Sequence, residues 1–467
     1  AADPLPPTGL GIGHTRWATH GGPTDYNAHP HVSANGRVAL IHNGIIENFA
    51  PLRAELVAQG VAFTSETDTE VAAQLLGREV EGGADLADAM RSVCRQLQGA
   101  FTLVAIDSAE PARLVAARRN SPLVVGLGEG ENFVASDVSA FIEFTRHAVE
   151  LGQDRVVDVT ADSFTVTDFD GAPADSHPFE VTWDLSAAEK QGYDWFMRKE
   201  IYEQPQAVAD TLLGRYNEDG SLKLDELHIP EAELRTIDKI IIVACGTAYY
   251  AGMVAKYAIE HWVRIPVEVE LAHEFRYRDP ILTPRTLVVA ISQSGETMDT
   301  LMALRHAREQ GSKVLAICNT QGASIPRESD AVLYTHAGPE VAVASTKAFV
   351  AQITAAYVLG LYLAQVKGAM FRDEIAQTLD SLKDMPRKIQ WVLDTQTKTV
   401  HDAAAQMVDA KSFLFLGRHV GYPVAMEGAL KLKEIAYTFT EGFAAGELKH
   451  GPIALVDEGE PVVFIVP

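Results

Sequence analysis

Cysteine is scarce in this chain: Cys94, Cys245 and Cys318 are the only three among 467 residues. They are scattered, show no metal-ligand spacing and cannot form an even disulfide set, which points to a reducing compartment. Basic side chains are also short, 39 against 63 acidic ones, for a formal net charge of -24. That deficit argues against nucleic acid and anionic membrane as main partners, since both select basic surface; a small anionic substrate can still bind through local dipoles and a few cations. No uninterrupted apolar run is long enough to cross a bilayer and no signal peptide precedes the first motif, so a cytoplasmic protein is expected. No G-x-x-x-x-G-K-[ST] occurs, which disfavours a nucleoside triphosphate with magnesium. Both ends are expected to be cut, because Ala1 is not Met and Val462-Val463-Phe464-Ile465-Val466 reads as a strand with nothing after it.

What is present falls into stretches of different pattern, and the length allows two to four domains. Ser292-Gln293-Ser294-Gly295-Glu296-Thr297 follows an apolar run at 287–291 and precedes Leu301, Leu304 and Arg308 at helix spacing. It is therefore a strand-to-helix loop. Such a loop suits a phosphate: three hydroxyls can donate, glycine lets the backbone approach, and the helix end offers free N–H groups and a positive dipole. With no lysine in the loop, a small phosphorylated metabolite fits better than a nucleotide. An ordinary Ser/Gly-rich turn with a threonine cap explains the same six residues.

Residues 1–185 carry short strand patterns at 38–41, 101–106, 123–125, 133–135 and 164–166, with helical patterns at 49–59, 68–79 and 86–97. This is α+β material. Polar residues gather at His14-Thr15-Arg16-Trp17-Ala18-Thr19-His20-Gly21 with His29-Pro30-His31, at His42-Asn43-Gly44-Ile45-Ile46-Glu47-Asn48 closing a strand, and at Ser65-Glu66-Thr67-Asp68-Thr69-Glu70 opening a helix. Arg16 suits an amino-acid carboxylate and Asp68 its α-ammonium, or they are a surface ion pair and an N-cap. Asn43-Gly44 can place an amide and a backbone N–H at a developing oxyanion, or form a plain turn. His14, His20, His29 and His31 lack compact ligand spacing, so no metal is expected. The glycines at 126–130 read as a turn rather than a dinucleotide site.

In this order, HTRWATHGGP, NAHPHV, HNGIIEN and SETDTE resemble the glutaminase domain of the N-terminal-nucleophile amidotransferases over about the first 185 residues. The resemblance implies that Arg16, Thr19, His20 and Asp68 hold glutamine, that Asn43 and Gly44 form the oxyanion hole, and that Trp17 lies at the exit for ammonia. The family's nucleophile is an N-terminal cysteine whose own α-amino group acts as base. Ala1 is not that residue and Cys94 sits in a helical pattern expected to be core, so the nucleophile is expected upstream.

Residues 186–233 read as a linker with an amphipathic helix around 195–213 and a turn-rich break at 217–221. Glu200-Ile201-Tyr202-Glu203-Gln204-Pro205 in that helix is either its exposed surface or a face packed back over the next domain to close its site. From Lys239 the pattern alternates buried strands with helices, the mark of a parallel sheet covered on both faces. Ligands of such sheets sit at the carboxyl ends of the strands, where Thr247 and the Ser292 loop fall. A long helix at about 343–367 begins at Ala344-Ser345-Thr346-Lys347, adding hydroxyls at another positive end. A second strand, glycine turn and helix start at about 412. That helix places Glu427, Lys431 and Glu434 on one face, with Leu432, Ile435, Ala436 and Phe439 expected as its buried stripe. Surface ion pairing explains the charged face equally. The glycine-rich loop at 446–452 carries His450, and a carboxylate facing a lysine and a histidine suits proton transfer between adjacent sugar carbons.

CGTA, SQSGET, VASTKAF, EGALKLKEIAYTF and GELKHGP resemble the sugar isomerase (SIS) domains of the glutamine:fructose-6-phosphate amidotransferase family, and with the first domain the match spans nearly the whole chain. This implies phosphate on Ser292, Gln293, Ser294 and Thr297, with Thr247, Val343 and Ser345 along the sugar. Glu434 moves the proton between C1 and C2, assisted by Lys431. His450 opens the ring from the neighbouring subunit, so a homodimer is expected. Ala248 stands where many members have Ser, and the family's final tail, with its lysine at the sugar carbonyl, is absent.

The expected architecture is an α+β N-terminal-nucleophile glutaminase domain at 1–185, a linker at 186–233, and two α/β SIS subdomains with parallel sheets at 234–385 and 386–467. The expected activity is amination and isomerisation of fructose 6-phosphate by glutamine to glucosamine 6-phosphate, feeding amino-sugar and cell-wall precursor synthesis, with no cofactor. The alternatives are a phosphosugar isomerase or deglycase, or a sugar-phosphate sensor, with an inactive first domain. A phosphoribosyl amidotransferase needs an acidic diphosphate-binding loop that is not found.

Overall fold

The structure is a computed structural model that describes residues 8–16, 21–181, 190–217, 219–224 and 226–467. The chain divides into two compact units, Ala1–Leu185 and Ser186–Pro467.

In the first unit an antiparallel six-stranded sheet runs in the order β1 (His31–Val32), β2 (Val38–Ile46), β3 (Gly99–Asp107), β4 (Leu114–Arg119), β8 (Arg155–Val159), β9 (Phe164–Asp168). A four-stranded antiparallel sheet runs β10 (Ser176–Glu180), β7 (His147–Leu151), β5 (Val124–Leu127), β6 (Asn132–Ala135). Alternation along β2 sends Val38 and Leu40 to one face, where they meet Leu76, Met90 and Val93 of the helices Asp68–Glu81 and Leu86–Gln96. On the other face Val104 and Val157 meet Val125 and Val149 of the second sheet. Cys94 lies in the helix-side core, fully buried.

The second unit opens with the helix Phe196–Leu212 and then winds a five-stranded parallel sheet. Its order is β12 (Val267–Leu271), β11 (Lys239–Ala244), β13 (Thr286–Ser292), β14 (Lys313–Cys318), β15 (Ala331–Tyr334). All seven residues of β13 are buried, because helices cover both faces. One face packs on Gly246–Val263 and Lys347–Lys367, the other on Ala272–Arg278 and Met298–Glu309. The chain leaves β11 outward to β12 and then returns inward to β13, so strand order reverses between β11 and β13. Open α/β sheets hold ligands at such a reversal. After the helices Arg372–Lys383 and Met385–Gln406, a three-stranded parallel sheet runs β17 (Phe439–Ala444), β16 (Ser412–Gly417), β18 (Val462–Ile465), with the helix Gly421–Ala436 between β16 and β17.

Two expectations need correction. Asn43 and Gly44 are not a turn: β2 runs on through them, and Gly44 pairs with Phe101 of β3. The stripe Leu432, Ile435, Ala436, Phe439 is not buried. The helix Gly421–Ala436 turns its small-residue face inward, through Ala425 and Ala429, so Ile435 is left 48% exposed. Tyr437 ends the helix at φ 53°, and Phe439 begins β17, 64% exposed. The helix Lys347–Lys367 is long and apolar enough by composition to cross a bilayer, with mean hydropathy 1.5 over a window of its length, but Gln352, Thr354 and Gln365 interrupt its apolar run and 67% of that window is buried inside the unit. It is the central helix of the parallel-sheet core.

Candidate active site

In the first unit the three polar stretches, far apart in sequence, converge. The helix Asp68–Glu81 is capped by Thr67, whose hydroxyl accepts from Glu70 N, and not by Asp68. Asp68 is buried and accepts from Ile46 N at 2.8 Å, tying the helix start to β2. Thr69 Oγ1 lies 2.9 Å from His42 Nδ1 and 2.9 Å from His29 Nε2, and His29 Nδ1 lies 3.0 Å from His14 Nδ1. Burial, then the crowding of His14, His31 and His42, pushes His29 down to about 3. Burial also lowers His14 and His31. His14, His29 and His31 are thus held below the ordinary histidine value, and among the described residues no group of three ligands fits a metal ion.

Gly44 has φ 129°, and a Cβ there would lie 2.1 Å from the Ala100 carbonyl oxygen. Only glycine permits this approach to β3. Asn43 beside it is exposed, and its carbonyl accepts from Ser121 Oγ. Arg16 is half-buried and donates to the carbonyls of Gly21 and Gly22, both at 3.0 Å. Trp17, Thr19 and His20 lie outside the described residues. A hollow of about 380 Å³ in this unit, between Leu52, Leu75, Arg78 and Gln96, is lined by none of the nominated residues.

In the second unit the loop after β13 is folded on itself. Ser292 Oγ lies 3.0 Å from Thr297 Oγ1 and accepts from Gly295 N, while Ser294 Oγ accepts from Glu296 N. Thr297 precedes the helix Met298–Glu309 without capping it through its side chain. Gln293 O accepts from Asn319 N and Thr320 N, which fixes the loop to the end of β14. Gly295 is again obligatory: at φ 70° a Cβ would stand 2.5 Å from Ala323 Cβ and 2.8 Å from Cys318 Sγ. Burial pushes the Cys318 thiol up to about 12, so it is a packing atom there. Val343 and Ser345 precede the helix Lys347–Lys367. Val343 is 80% exposed, and Ser345 Oγ donates to Glu340 Oε2.

Thr247 joins the two parallel sheets. It sits at the start of the helix Gly246–Val263, beside the strand reversal, and its hydroxyl donates to Glu427 Oε1 at 3.0 Å. Lys431 Nζ donates to Thr247 Oγ1 at 2.9 Å and pairs with Glu434 Oε2 at 2.7 Å and Glu427 Oε1 at 3.4 Å. Glu434 is a third exposed, whereas Glu427 is buried. Burial raises the Glu427 carboxyl to about 7, against the pull of Lys431 and the Thr247 hydroxyl. Its Oε2 is buried without a partner. His450 is exposed on a short turn and makes no hydrogen bond among the described residues, so the structure does not bring it to Lys431 and Glu434.

A glutamine amidotransferase domain model matches residues 14–143, and a SIS domain model matches residues 233–362 and 406–467. The glutamine–fructose-6-phosphate aminotransferase (isomerizing) of Corynebacterium efficiens is 68% identical over 100% of this chain and 75% of its own length. That of Streptomyces coelicolor is 66% identical over 99% of this chain and 75% of its own. The chain belongs to the glutamine–fructose-6-phosphate aminotransferase (isomerizing) family. Among solved structures, the C-terminal domain of the glucosamine-fructose-6-phosphate aminotransferase from Francisella tularensis is similar at TM-score 0.57 and 44% identity, covering 59% of this chain and 77% of that one.

For a member of this aminotransferase family, the residue that sequence reasoning passed over is Glu427. It was placed only as one of three charges on a helix face. No local signal marks it, because its burial comes from Thr247 and the helix Gly246–Val263, far away in sequence.

Proposed function

We propose that the two units divide the family's reaction: the first hydrolyses glutamine, and the second adds the released ammonia to fructose 6-phosphate and isomerises the product to glucosamine 6-phosphate. The alternatives of an isomerase, deglycase or sensor with a dead first domain find no support among the relatives. Residues 1–185 are the glutaminase, 186–233 the linker, and 234–385 and 386–467 the two SIS subdomains.

In the first unit Arg16 and Asp68 take the carboxylate and ammonium of glutamine, with Thr19 and His20, and Trp17 lies at the ammonia exit. The Asn43 amide and the Gly44 N–H stabilise the oxyanion. In the second, Ser292, Gln293, Ser294 and Thr297 hold the phosphate against a helix N-terminus. Thr247, Val343 and Ser345 line the sugar. Ammonia condenses with the C2 carbonyl and water leaves, giving an imine. Glu434 takes a proton from C1, the electron pair forms the C1–C2 double bond, and the C2–N π electrons settle on nitrogen, which takes up a proton. Protonation at C2 and loss of the O1 proton then leave the aldehyde of glucosamine 6-phosphate. Lys431 holds the carboxylate in place, and Glu427, near neutrality, exchanges protons with sugar hydroxyls.

The observation that carries this reading is the Thr247–Lys431–Glu427–Glu434 cluster, which sets two carboxylates at the start of the helix Gly246–Val263, by the strand reversal. An assay with glutamine and then with ammonium as nitrogen donor tests it. Product from both is expected, and product from ammonium alone would leave the first unit without its role.

His450 acts from a second copy in a homodimer. Support comes from uncovered apolar surface: the 22-residue helix Met385–Gln406 has no buried residue, with Trp391 58% and Val400 65% exposed. A cytoplasmic location accords with three free cysteines.

Two outcomes follow here. Gly295→Ala is expected to raise KM for fructose 6-phosphate about tenfold or more, because its Cβ displaces the phosphate loop, while glutamine hydrolysis is unchanged. Glu427 keeps its proton in the folded state up to about pH 7, whereas the unfolded chain releases it at the ordinary glutamate value. Its contribution to stability is full in acid and is lost as pH rises through about 7. Urea unfolding at several pH values is expected to show wild type losing stability relative to Glu427→Gln across that window.

A further inference from the structure

The helix Phe196–Leu212 carries a stretch that the chemistry above leaves unused, Glu200-Ile201-Tyr202-Glu203-Gln204-Pro205. Its charges are not solvated. Glu200 is 1% exposed, and Lys199 beside it 2%. A buried carboxylate needs partners, and Glu200 finds them in backbone: its Oε1 accepts from Val341 N at 2.6 Å and Ala342 N at 3.0 Å. Three residues further along, Glu203 takes Lys347 Nζ at 2.7 Å on Oε2 and Lys199 Nζ at 3.3 Å on Oε1. Lys347 is itself 2% exposed and is the first residue of Lys347–Lys367. Pro205 can donate nothing to the Ile201 carbonyl, and the Gln204 side-chain amide donates to it instead at 2.9 Å. The helix therefore keeps its course past the proline.

These contacts grip one segment at two points. Glu200 holds it at 341 and 342, Glu203 at 347, and between them lie Val343 and Ser345. The segment is cinched internally as well. Glu340 accepts from Ser345 Oγ at 2.8 Å, Thr346 N at 2.8 Å and Ala348 N at 3.1 Å. Ordering the 341–342 turn in advance removes an entropic cost from ligand binding.

We propose that Glu200 is a positioning residue for the sugar site: its carboxylate fixes the 341–342 turn so that Val343 and Ser345 meet the bound hexose phosphate. The proposal rests on the sugar-site reading above. Glu200 touches no reacting atom, so its removal acts on binding.

Fructose 6-phosphate binding by calorimetry, and KM and kcat with ammonium as donor, test this in the full-length protein. Glu200→Ala is expected to weaken sugar binding and raise KM about tenfold, with kcat within about threefold and glutamine hydrolysis unchanged. Glu200→Gln keeps an oxygen at Oε1 and is expected to return Kd to within about threefold of wild type, while Glu200→Asp, one methylene short, falls between. Wild-type affinity in Glu200→Ala would overturn the proposal, as would equal damage in Glu200→Gln and Glu200→Ala. Should Glu200→Ala not fold, the order of Glu200→Gln and Glu200→Asp decides. Failure of wild type to bind any hexose phosphate would instead overturn the sugar-site reading, and this proposal with it.

Discussion

Glu434→Gln is expected to lower formation of glucosamine 6-phosphate by about 10² to 10⁴, with either nitrogen donor, while fructose 6-phosphate still binds within about threefold. The amide keeps the size of the side chain and can still contact Lys431, which pairs with Glu434 at 2.7 Å. What it loses is basicity. Glutamine hydrolysis is expected to persist, since it belongs to a separate unit with its own core. Exchange of the C1 hydrogen with solvent, followed by nuclear magnetic resonance, separates this from a defect in ammonia supply. Loss of exchange with sugar binding retained is the expected result.

Gly44→Ala is expected to act on the other half of the reaction. The added Cβ meets the Ala100 carbonyl at 2.1 Å and must adopt φ near 129°, which side chains avoid. The β2–β3 pairing opens at Gly44 and Phe101, and the N–H and Asn43 beside it shift. Loss of oxyanion donors lowers glutamine hydrolysis about 10²-fold or more. Strain at such a position costs about 3 kcal/mol. Ammonium-dependent product formation is expected to survive, which assigns the defect to the first unit.

Much of the second unit was legible because its strands are continuous apolar runs. β11, β13 and β14 are buried almost throughout, and their short length and β-branched content mark them as strands between helices. The loop at Ser292 follows from the same signal. The turn alternative for Asn43-Gly44 failed, though the pair is a strong local turn signal. The pairing with β3 that overrides it comes from residues more than fifty positions away. The helix Gly421–Ala436 shows a different limit. Its period was readable, but two apolar faces were available, and the choice between them was made by docking on Gly246–Val263 through Thr247 and Glu427. Glu200 was legible only as a charge on a helix. That its partners are the amides of residues 341 and 342 is a tertiary fact.

A hexose phosphate is expected to span the strand reversal, with its anionic end on the Ser292 loop and its C1–C2 bond at the carboxylates. A crystal structure of the enzyme with fructose 6-phosphate tests this directly. The phosphate is expected within about 3 Å of the Ser294 and Thr297 hydroxyls, and C1 within about 3.5 Å of a Glu434 oxygen. A phosphate bound elsewhere, or Glu434 turned to solvent with no sugar carbon near it, would contradict it.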